Sequence, residues 1–445
     1  MTALAKAAPH RRDACPGLSA PMPTGDGLLV RLRPIGTVSV AAFRKLCAAA
    51  RQHGNSVVEI TARGSIQVRG LSAASAPRFA DAIASLGIAT EDGVPVIANP
   101  LAGLDPDELI DAGTLAADLR RALCATSLPR RLAPKVSVAI DGGGALNLEG
   151  LSADIRLCAQ QANGDVTLDV AVGGDARRAV PLGAVALSNG VEAAIRLLEV
   201  MARHGHATRA RDVLAAEEIQ QFCESISGLL LAARPRESGD PPLPPPLAGE
   251  GKGGGLRGNE RKTAIDLHSL RDGSYARGIG LAFGHAEAAT LERLADAAEA
   301  AGARGVRIAP GRTLIAIGLT RESATTFTTG AESLGFIVRA EDPRRHVIAC
   351  AGAPICASAH IAARAMAPRI AEIAARFLDD SFKIHISGCA KGCALAAPAA
   401  LTVVGTAAGC ALVANGSAGD ETFAVVAADQ LPAAIVNAAR EARHV

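Results

Sequence analysis

The feature that most constrains the fold of this chain is an internal repeat. A gap-free shift of 248 positions aligns Gly36 with Gly284 and Val58 with Val306, and apolar positions between them match as well. Glycines mark special backbone geometry and apolar residues mark a core, so their joint match over about fifty residues indicates duplication. We therefore expect two copies of one small fold, each followed by a longer segment.

Each copy carries the same order of short elements. In the first copy, apolar patterning predicts strands at 28–32, 57–61 and 66–69, and apolar residues at helical spacing predict helices at 40–52 and 77–86. The resulting order, βαββα, is the core of a ferredoxin-like unit. The second copy repeats this order over residues 276–334.

Composition argues against several classes of partner. The chain has 46 Lys and Arg against 44 Asp and Glu, a net charge of +2, and only 9 Phe, 1 Tyr and no Trp. Nucleic-acid binding needs basic surfaces or stacking aromatics, so we expect no nucleic-acid partner.

The N-terminus has charges but no long apolar run, and residues 394–414 read as two short strands instead of a membrane span. We expect a cytoplasmic protein without membrane contact.

Changes in composition also divide the 445 residues into domains. Residues 234–262 are rich in proline, glycine and charge, which predicts a linker or insertion. We expect ferredoxin-like half-domains at 15–92 and 263–342, each followed by a larger α/β domain, at 93–233 and 343–445. The expected fold class is α+β, with the duplicated parts in a pseudo-twofold arrangement.

The two larger segments correspond to each other more faintly. Residues 96–99 parallel 347–350, and residues 135–138 parallel 383–386. Where the second segment has cysteines, the first has Asn99 and the glycines that follow Asp141. We interpret this difference as a cofactor site that one half kept and the other lacks.

Four cysteines of the second segment have the spacing of a metal centre. Cys350 and Cys356 form a C-x5-C pair, and Cys389 and Cys393 form a C-x3-C pair. Four thiolates in two close pairs suit a [4Fe–4S] cluster, in which each iron takes one cysteine. A structural zinc ion is the alternative, although its pairs more often enclose two to four residues.

The surroundings of these cysteines favour the cluster. A helical pattern at 359–378 follows Cys356, and the amides at a helix N-terminus stabilise a thiolate. Glycines beside Cys389 let the backbone fold closely around a bulky group, and Lys391 offsets negative charge.

The cysteine spacing, placed after duplicated ferredoxin-like halves, resembles the nitrite and sulfite reductase superfamily. Residues 61–67, TARGSIQ, resemble its T-x-R-x-x-x-Q segment, and residues 134–136, PKV, resemble the start of its P-x-K-F stretch. The resemblance implies two reductase-like α/β domains and a cluster beside a tetrapyrrole, which Arg63, Gln67 and Lys135 face. Arg312, on the equivalent hairpin of the second copy, is expected to assist. Without the resemblance, Arg63 and Gln67 read as an exposed strand turn.

Within this superfamily, one family matches more closely. Siroheme reductases carry an Arg-Asn pair whose arginine helps bind the small anion, whereas this chain has Ala98-Asn99. The chain resembles the precorrin-3B synthase family of aerobic cobalamin biosynthesis, and Asn99 joins the expected substrate-binding residues. The motifs that carry this resemblance are CPG at 15–17, MPTGDG at 22–27, NPLAG at 99–103, DGGG at 141–144 and SGCAKGC at 387–393.

This family resemblance implies an iron–sulfur monooxygenase. Its substrate is the tetrapyrrole precorrin-3A, which it hydroxylates at C20 with O2 and NADH-derived electrons while an acetate side chain closes a γ-lactone. It also implies a mononuclear non-haem iron, but no motif nominates the ligands, and no catalytic residue is assigned. Because no G-x-G-x-x-G motif follows a strand, we expect NADH to act through an electron-donor protein.

Two other functions stay open. A siroheme-dependent sulfite or nitrite reductase would keep the cluster and bind siroheme. A non-enzymatic electron carrier would need the four cysteines but neither Arg63 nor Lys135.

Overall fold

A computed structural model describes residues 16–162, 164–216, 218–231, 262–395 and 397–444. Cys15 and positions 234–261 of the expected linker lie outside the described residues. The described chain divides into two compact units. One holds 91–231, 262 and 270–272, and the other holds 16–90, 263–269 and 273–444, apart from the gaps given above. The second unit therefore contains both copies of the repeat and all four cysteines of the quartet.

The first copy of the repeat folds into four strands and two helices. They are β1 (Met22–Thr24), β2 (Gly27–Leu32), α1 (Val40–His53), β3 (Val57–Ile60), β4 (Ile66–Leu71) and α2 (Ser75–Ala84). Apart from β1, this is the predicted βαββα order. The side chain of Ser39 caps α1 by accepting a hydrogen bond from Ala42 N at 3.2 Å.

The next segment belongs to the other unit and forms a five-stranded sheet with helices. Its elements are β5 (Val96–Ala98), α3 (Ala112–Cys124), α4 (Leu128–Arg131), β6 (Val138–Asp141), β7 (Ala153–Ala162), β8 (Asp165–Gly174), β9 (Val180–Ala186), α5 (Gly190–Arg203), α6 (Ala210–Ala215) and α7 (Ile219–Ile226). The strand order is β5-β6-β7-β8-β9, parallel as far as β7 and antiparallel beyond it. Apolar residues of α3 and α5 pack on this sheet and form the unit's core.

The second copy of the repeat continues the second unit. It consists of β10 (Leu267–Ser269), β11 (Tyr275–Gly280), β12 (His285–Glu287), α8 (Ala288–Ala300), β13 (Gly305–Ala309), β14 (Thr313–Leu319) and α9 (Arg321–Ser333). The sheet of this copy has the order β10-β11-β14-β13, whereas β12 joins the other copy in the order β1-β2-β4-β3-β12.

The two copies exchange strand contacts reciprocally. Ala286 of β12 pairs with Val58 of β3, and Val38 pairs with Val306 of β13. These two pairs are equivalent under the 248-residue shift, so the copies are related by a pseudo-twofold axis. Helices α1 and α8 also pack together, and one hydrophobic core includes residues of both copies.

The last segment carries the cysteine quartet. It contains β15 (Val347–Ala349), α10 (Ala363–Ala374), β16 (Ile384–Ser387), β17 (Ala399–Thr406), β18 (Gly409–Gly416), β19 (Ala424–Val426) and α11 (Leu431–His444). Its sheet, β15-β16-β17-β18-β19, repeats the order and the strand directions of the β5 to β9 sheet.

One detail of the predicted correspondence is wrong. Val138 pairs with Val96 in the same way as Ile384 pairs with Val347. The earlier match of residues 135–138 with 383–386 is therefore displaced by two positions, and Lys135 corresponds to Ser381 instead of Lys383.

The apolar stretch at 394–414 contributes the hairpin of β17 and β18, as predicted. Among the residues that the structure describes, no helix has the length and apolar character needed to cross a membrane.

Candidate functional site

Parallel pairing of two strands brings the two cysteine pairs together. β15 and β16 run side by side in the same direction, so their carboxyl ends meet at one edge of the sheet. Cys350 directly follows β15, and Cys389 lies two residues beyond β16. Cys350 N donates to the carbonyl oxygen of Ile386 at 3.1 Å, which fixes the start of the first cysteine loop against the second strand.

Short contacts connect the two cysteine loops. Gly388 N donates to the Cys350 Sγ at 3.0 Å, and Lys391 Nζ donates to Ser358 Oγ at 3.0 Å. A Cβ on Gly388 would lie 2.7 Å from the Cβ of Ala359, so only glycine allows the loops to approach this closely. Lys391 thus bridges the loops, in addition to the predicted effect of its charge.

The chemistry of the donors fits an iron–sulfur cluster. The pKa of the Cys350 thiol is raised, first by burial, with the Gly388 and Gly352 amides acting in the opposite direction and Cys393 and Cys389 raising it further. The thiols are therefore close enough to repel one another as thiolates, and bound iron relieves that repulsion. No disulfide joins the described cysteines.

The structure corrects the predicted environment of Cys356. Helix α10 begins at Ala363 instead of residue 359, so Cys356 does not lie at a helix N-terminus. Its loop is held by other contacts: Cys356 N donates to Gly352 O at 2.8 Å, and Ala357 N donates to Gly25 O at 3.0 Å. The first ferredoxin-like copy therefore contacts the cysteine loop directly.

The expected mononuclear iron would need a second metal site, apart from the cysteine quartet. Within the described ranges, no group of three or more His, Cys, Asp or Glu side chains is placed to hold one metal ion. The structure therefore adds no ligand assignment for the expected mononuclear iron.

Gln67 lies in a row of polar side chains that crosses the first sheet. Arg31, Gln67, Glu59 and His285 are successive cross-strand neighbours on β2, β4, β3 and β12. With its amide oriented by these neighbours, Gln67 accepts from Arg31 Nη2 at 2.6 Å and donates to Glu59 Oε2 at 3.1 Å. Gln67 is buried, contrary to the exposed position that the residues alone suggest.

The predicted arginines lie on hairpin turns that contact each other. Gly311 N, in the turn before β14, donates to Ala62 O, in the turn before β4, at 3.0 Å. Arg63 is half-buried beside this contact. Arg312 has a left-handed backbone (φ 63°) and packs over Gly284, where an added Cβ would lie 2.7 Å from its Cδ.

Two polar side chains near the cysteine loops have few hydrogen-bond or ion-pair partners: Arg312, which is half-buried, and His385, which is buried. Burial lowers the pKa of Arg312 to about 10, and no carboxylate of the described residues pairs with it. His385 of β16 is 0% exposed, and neither ring nitrogen has a hydrogen-bond partner among the described residues. Its pKa is lowered to about 4 by burial and by Arg312. His385 was not predicted as a site residue, and only its place just before the SGCAKGC loop could have suggested it.

The two predicted residues of the other unit lie at opposite ends of its sheet. Asn99 follows β5, at the carboxyl end of the parallel strands, whereas Lys135 is exposed in the turn before β6, at their amino end. Asn99 is buried, donates to Asp141 Oδ1 at 2.8 Å and Leu146 O at 2.7 Å, and accepts from Gly142 N. This geometry favours a structural role for Asn99 over the predicted substrate contact.

Comparisons with known proteins agree with this architecture. Residues 20–86 match the family model described as the nitrite/sulfite reductase ferredoxin-like half domain. The solved structure of the NirA protein of Mycobacterium tuberculosis has a TM-score of 0.71 at 20% identity and covers 94% of this chain and 80% of its own. The predicted fold class is thus confirmed.

Sequence relatives identify the family. A ferredoxin–nitrite reductase of Synechococcus elongatus is 25% identical over 400 residues, or 82% of this chain and 73% of the relative. A precorrin-3B synthase of Sinorhizobium sp is 40% identical over 409 residues, or 92% of this chain and 84% of the relative. The chain belongs to the precorrin-3B synthase family.

Proposed function

We propose that this chain catalyses the reaction of its family: the hydroxylation of precorrin-3A at C20, with closure of a γ-lactone by an acetate side chain. The observation that carries this proposal is the 40% identity to a precorrin-3B synthase across most of both chains. One oxygen atom of O2 enters the product and the other leaves as water, with two electrons supplied by NADH. This stoichiometry is that of a monooxygenase, and we propose a cytoplasmic location for the protein.

The proposed cluster is a [4Fe–4S] centre on Cys350, Cys356, Cys389 and Cys393. Two observations support this cluster. The two cysteine loops meet at one edge of the sheet, and at Gly388 the backbone of the second loop closely approaches the first loop. When bound, such a cluster supplies one-electron transfer. A mononuclear iron is also expected from the family, with ligands that we leave unassigned, and NADH is expected to act through an electron-donor protein.

We propose that Arg312 and Arg63 bind carboxylates of the macrocycle. Forked guanidinium donors pair well with acetate and propionate groups. Arg312 is the stronger candidate because it has no carboxylate partner in the described part of the chain. Gln67 would orient Arg31 and Glu59, which it contacts on the neighbouring strands. Lys135 is retained as a substrate residue only on the family resemblance.

The siroheme reductase alternative lacks support at the expected anion clamp. Ala98 is the last residue of β5, where the reductases have an arginine, and Asn99 is held inside its own domain. No side chain at this pair is thus available for a small anion.

Turnover under labelled dioxygen tests the proposal. Protein supplied with precorrin-3A, NADH and an electron-donor protein should give a product one oxygen atom heavier, with that atom derived from ¹⁸O2. The Cys389→Ser variant should lose this product, whereas Cys410→Ala should keep it, because Cys410 is buried in the core of the same domain, outside the quartet. Turnover without O2, or label drawn from water, would contradict the proposal.

A further inference from the structure

We infer that the buried ion pair of Asp26 and Arg69 sets the reduction potential of the proposed [4Fe–4S] cluster. The inference rests on the proposed function, since it requires that cluster to be present. It assigns a positioning role to two residues that the family resemblance does not assign.

The turn between β1 and β2 touches the first cysteine loop. A Cβ added to Gly25 would lie 2.5 Å from Cys356 Sγ, and Gly25 O accepts the hydrogen bond from Ala357 N. Gly25 therefore lies against a cluster ligand, and Asp26 is its immediate neighbour. Any charge on Asp26 acts close to the thiolates.

Asp26 and Arg69 form a two-point ion pair inside the protein. Arg69 Nε donates to Asp26 Oδ2 at 2.8 Å and Nη2 donates to Oδ1 at 2.9 Å. The side chains are only 3% and 14% exposed, respectively, so solvent screens their charges weakly. Thr24 Oγ1 also donates to Asp26 Oδ1 at 2.7 Å, which holds the carboxylate in place.

The second cysteine loop reaches the same ion pair. Burial alone would lower the pKa of Arg69, but Asp26, Glu59 and Cys393 together raise it. Arg69 therefore stays protonated and lies within electrostatic reach of Cys393. The pair is thus adjacent to Cys356 through Gly25, and the charge of Arg69 also interacts with that of Cys393.

Electrostatics gives the sign of the expected effects. Reduction adds one negative charge to the cluster, so a nearby positive charge raises its reduction potential and a nearby negative charge lowers it. In the native protein the two charges of the pair offset each other. Asp26→Asn removes the closer of the two carboxylates that face Arg69, the other being Glu59, and should raise the potential. Arg69→Gln leaves Asp26 without its ion-pair partner and should lower the potential.

The test is a redox titration of anaerobically purified holoprotein, followed by electron paramagnetic resonance. Each single variant should change the ratio of reduced to oxidised cluster at a fixed potential about tenfold, equivalent to about 59 mV for one electron. The double variant should return close to the wild type. The control is Asp342→Asn, because Asp342 pairs with Arg344 before β15, at the strand end opposite Cys350, and its loss should leave the potential unchanged.

Iron and sulfide analysis separates the two failures. A wild type with fewer than about four irons and four sulfides per chain would contradict the proposed cluster itself. Shifts of the same sign, or no shift in variants with intact clusters, would overturn the inference alone. If a single variant loses the cluster, the charge-conserving variants Asp26→Glu and Arg69→Lys are measured instead. If both keep the cluster and its potential, the role of charge is supported. If both lose the cluster, the role of charge is contradicted.

Discussion

At the scale of single residues, Gly25 is the position where an added methyl group should matter most. Because its Cβ would lie 2.5 Å from Cys356 Sγ, Gly25→Ala must displace either the β1–β2 turn or the thiol. Overpacking of this kind costs about 1–3 kcal/mol. We expect much less iron and sulfide per chain than in the wild type. Gly419→Ala is the matched control, since its added Cβ meets nothing within 4 Å, and equal losses in both variants would contradict this account.

Arg312 offers a test of substrate binding that should not disturb folding. Removal of its guanidinium leaves no orphaned carboxylate among the described residues. A lost charge-assisted hydrogen bond is worth about 1.5–3 kcal/mol, so Arg312→Gln should bind precorrin-3A roughly ten- to a hundredfold more weakly in an absorbance titration. Arg293→Gln, on the exposed side of α8, should bind like the wild type. Unchanged affinity in Arg312→Gln would remove Arg312 from the site.

His285 should make stability depend on pH. Burial, assisted by Arg364, lowers the pKa of His285 from 6.5 to about 4. Between these values the unfolded chain binds a proton that the folded chain does not, so stability falls as the pH drops from about 6.5 to about 4. The loss attributable to His285 is on the order of 3 kcal/mol. Urea midpoints at pH 7.5 and 4.5 should differ less in His285→Gln than in the wild type, and an equal difference would count against this assignment.

At the scale of elements, local patterns predicted more than long-range pairings. Strands and helices of the first copy agree with their predicted ranges within about two residues. The exchange of β12 was not predicted, because three residues without strong alternation give no signal of a distant partner. The predicted helix start at 359 failed because the amides of Ala357 and His360 bond to Gly25 and Gly388 instead of to carbonyls one helical turn earlier.

The exchanged strands can be tested at Val38. Its N–H donates to Val306 O at 2.9 Å, and it accepts from Val306 N at 2.7 Å. Val38→Pro removes the N–H donor and replaces the buried valine side chain with a ring, whereas Val38→Ala keeps the donor and only shortens the side chain. We expect Val38→Pro to be the less stable variant by about 1–3 kcal/mol in urea unfolding. Equal stabilities would show that this bridge does not help to join the two copies.

At the scale of the whole molecule, duplication explains which parts of the site were predictable. The quartet was predicted because its cysteines stand in two short motifs, and alignment of the two halves placed Asn99 opposite Cys350, although Asn99 then proved to be held by its own loop. The approach of Asp26 and Arg69 to the cysteine loops was not predicted. These two residues lie far from the cysteines in the sequence and come near them only in the folded second unit. The Asn99–Asp141 bonds were likewise invisible, since spacing does not reveal which loop atoms an amide will reach.

We expect the four cysteines of the quartet to bind an iron–sulfur cluster in a protein without siroheme. The most direct measurement is anaerobic purification followed by an absorption spectrum, iron and sulfide analysis, and mass spectrometry of any released tetrapyrrole. We predict about four sulfides and more than four irons per chain, with no siroheme. Stoichiometric siroheme would indicate a reductase instead, and zinc without sulfide would contradict both functions.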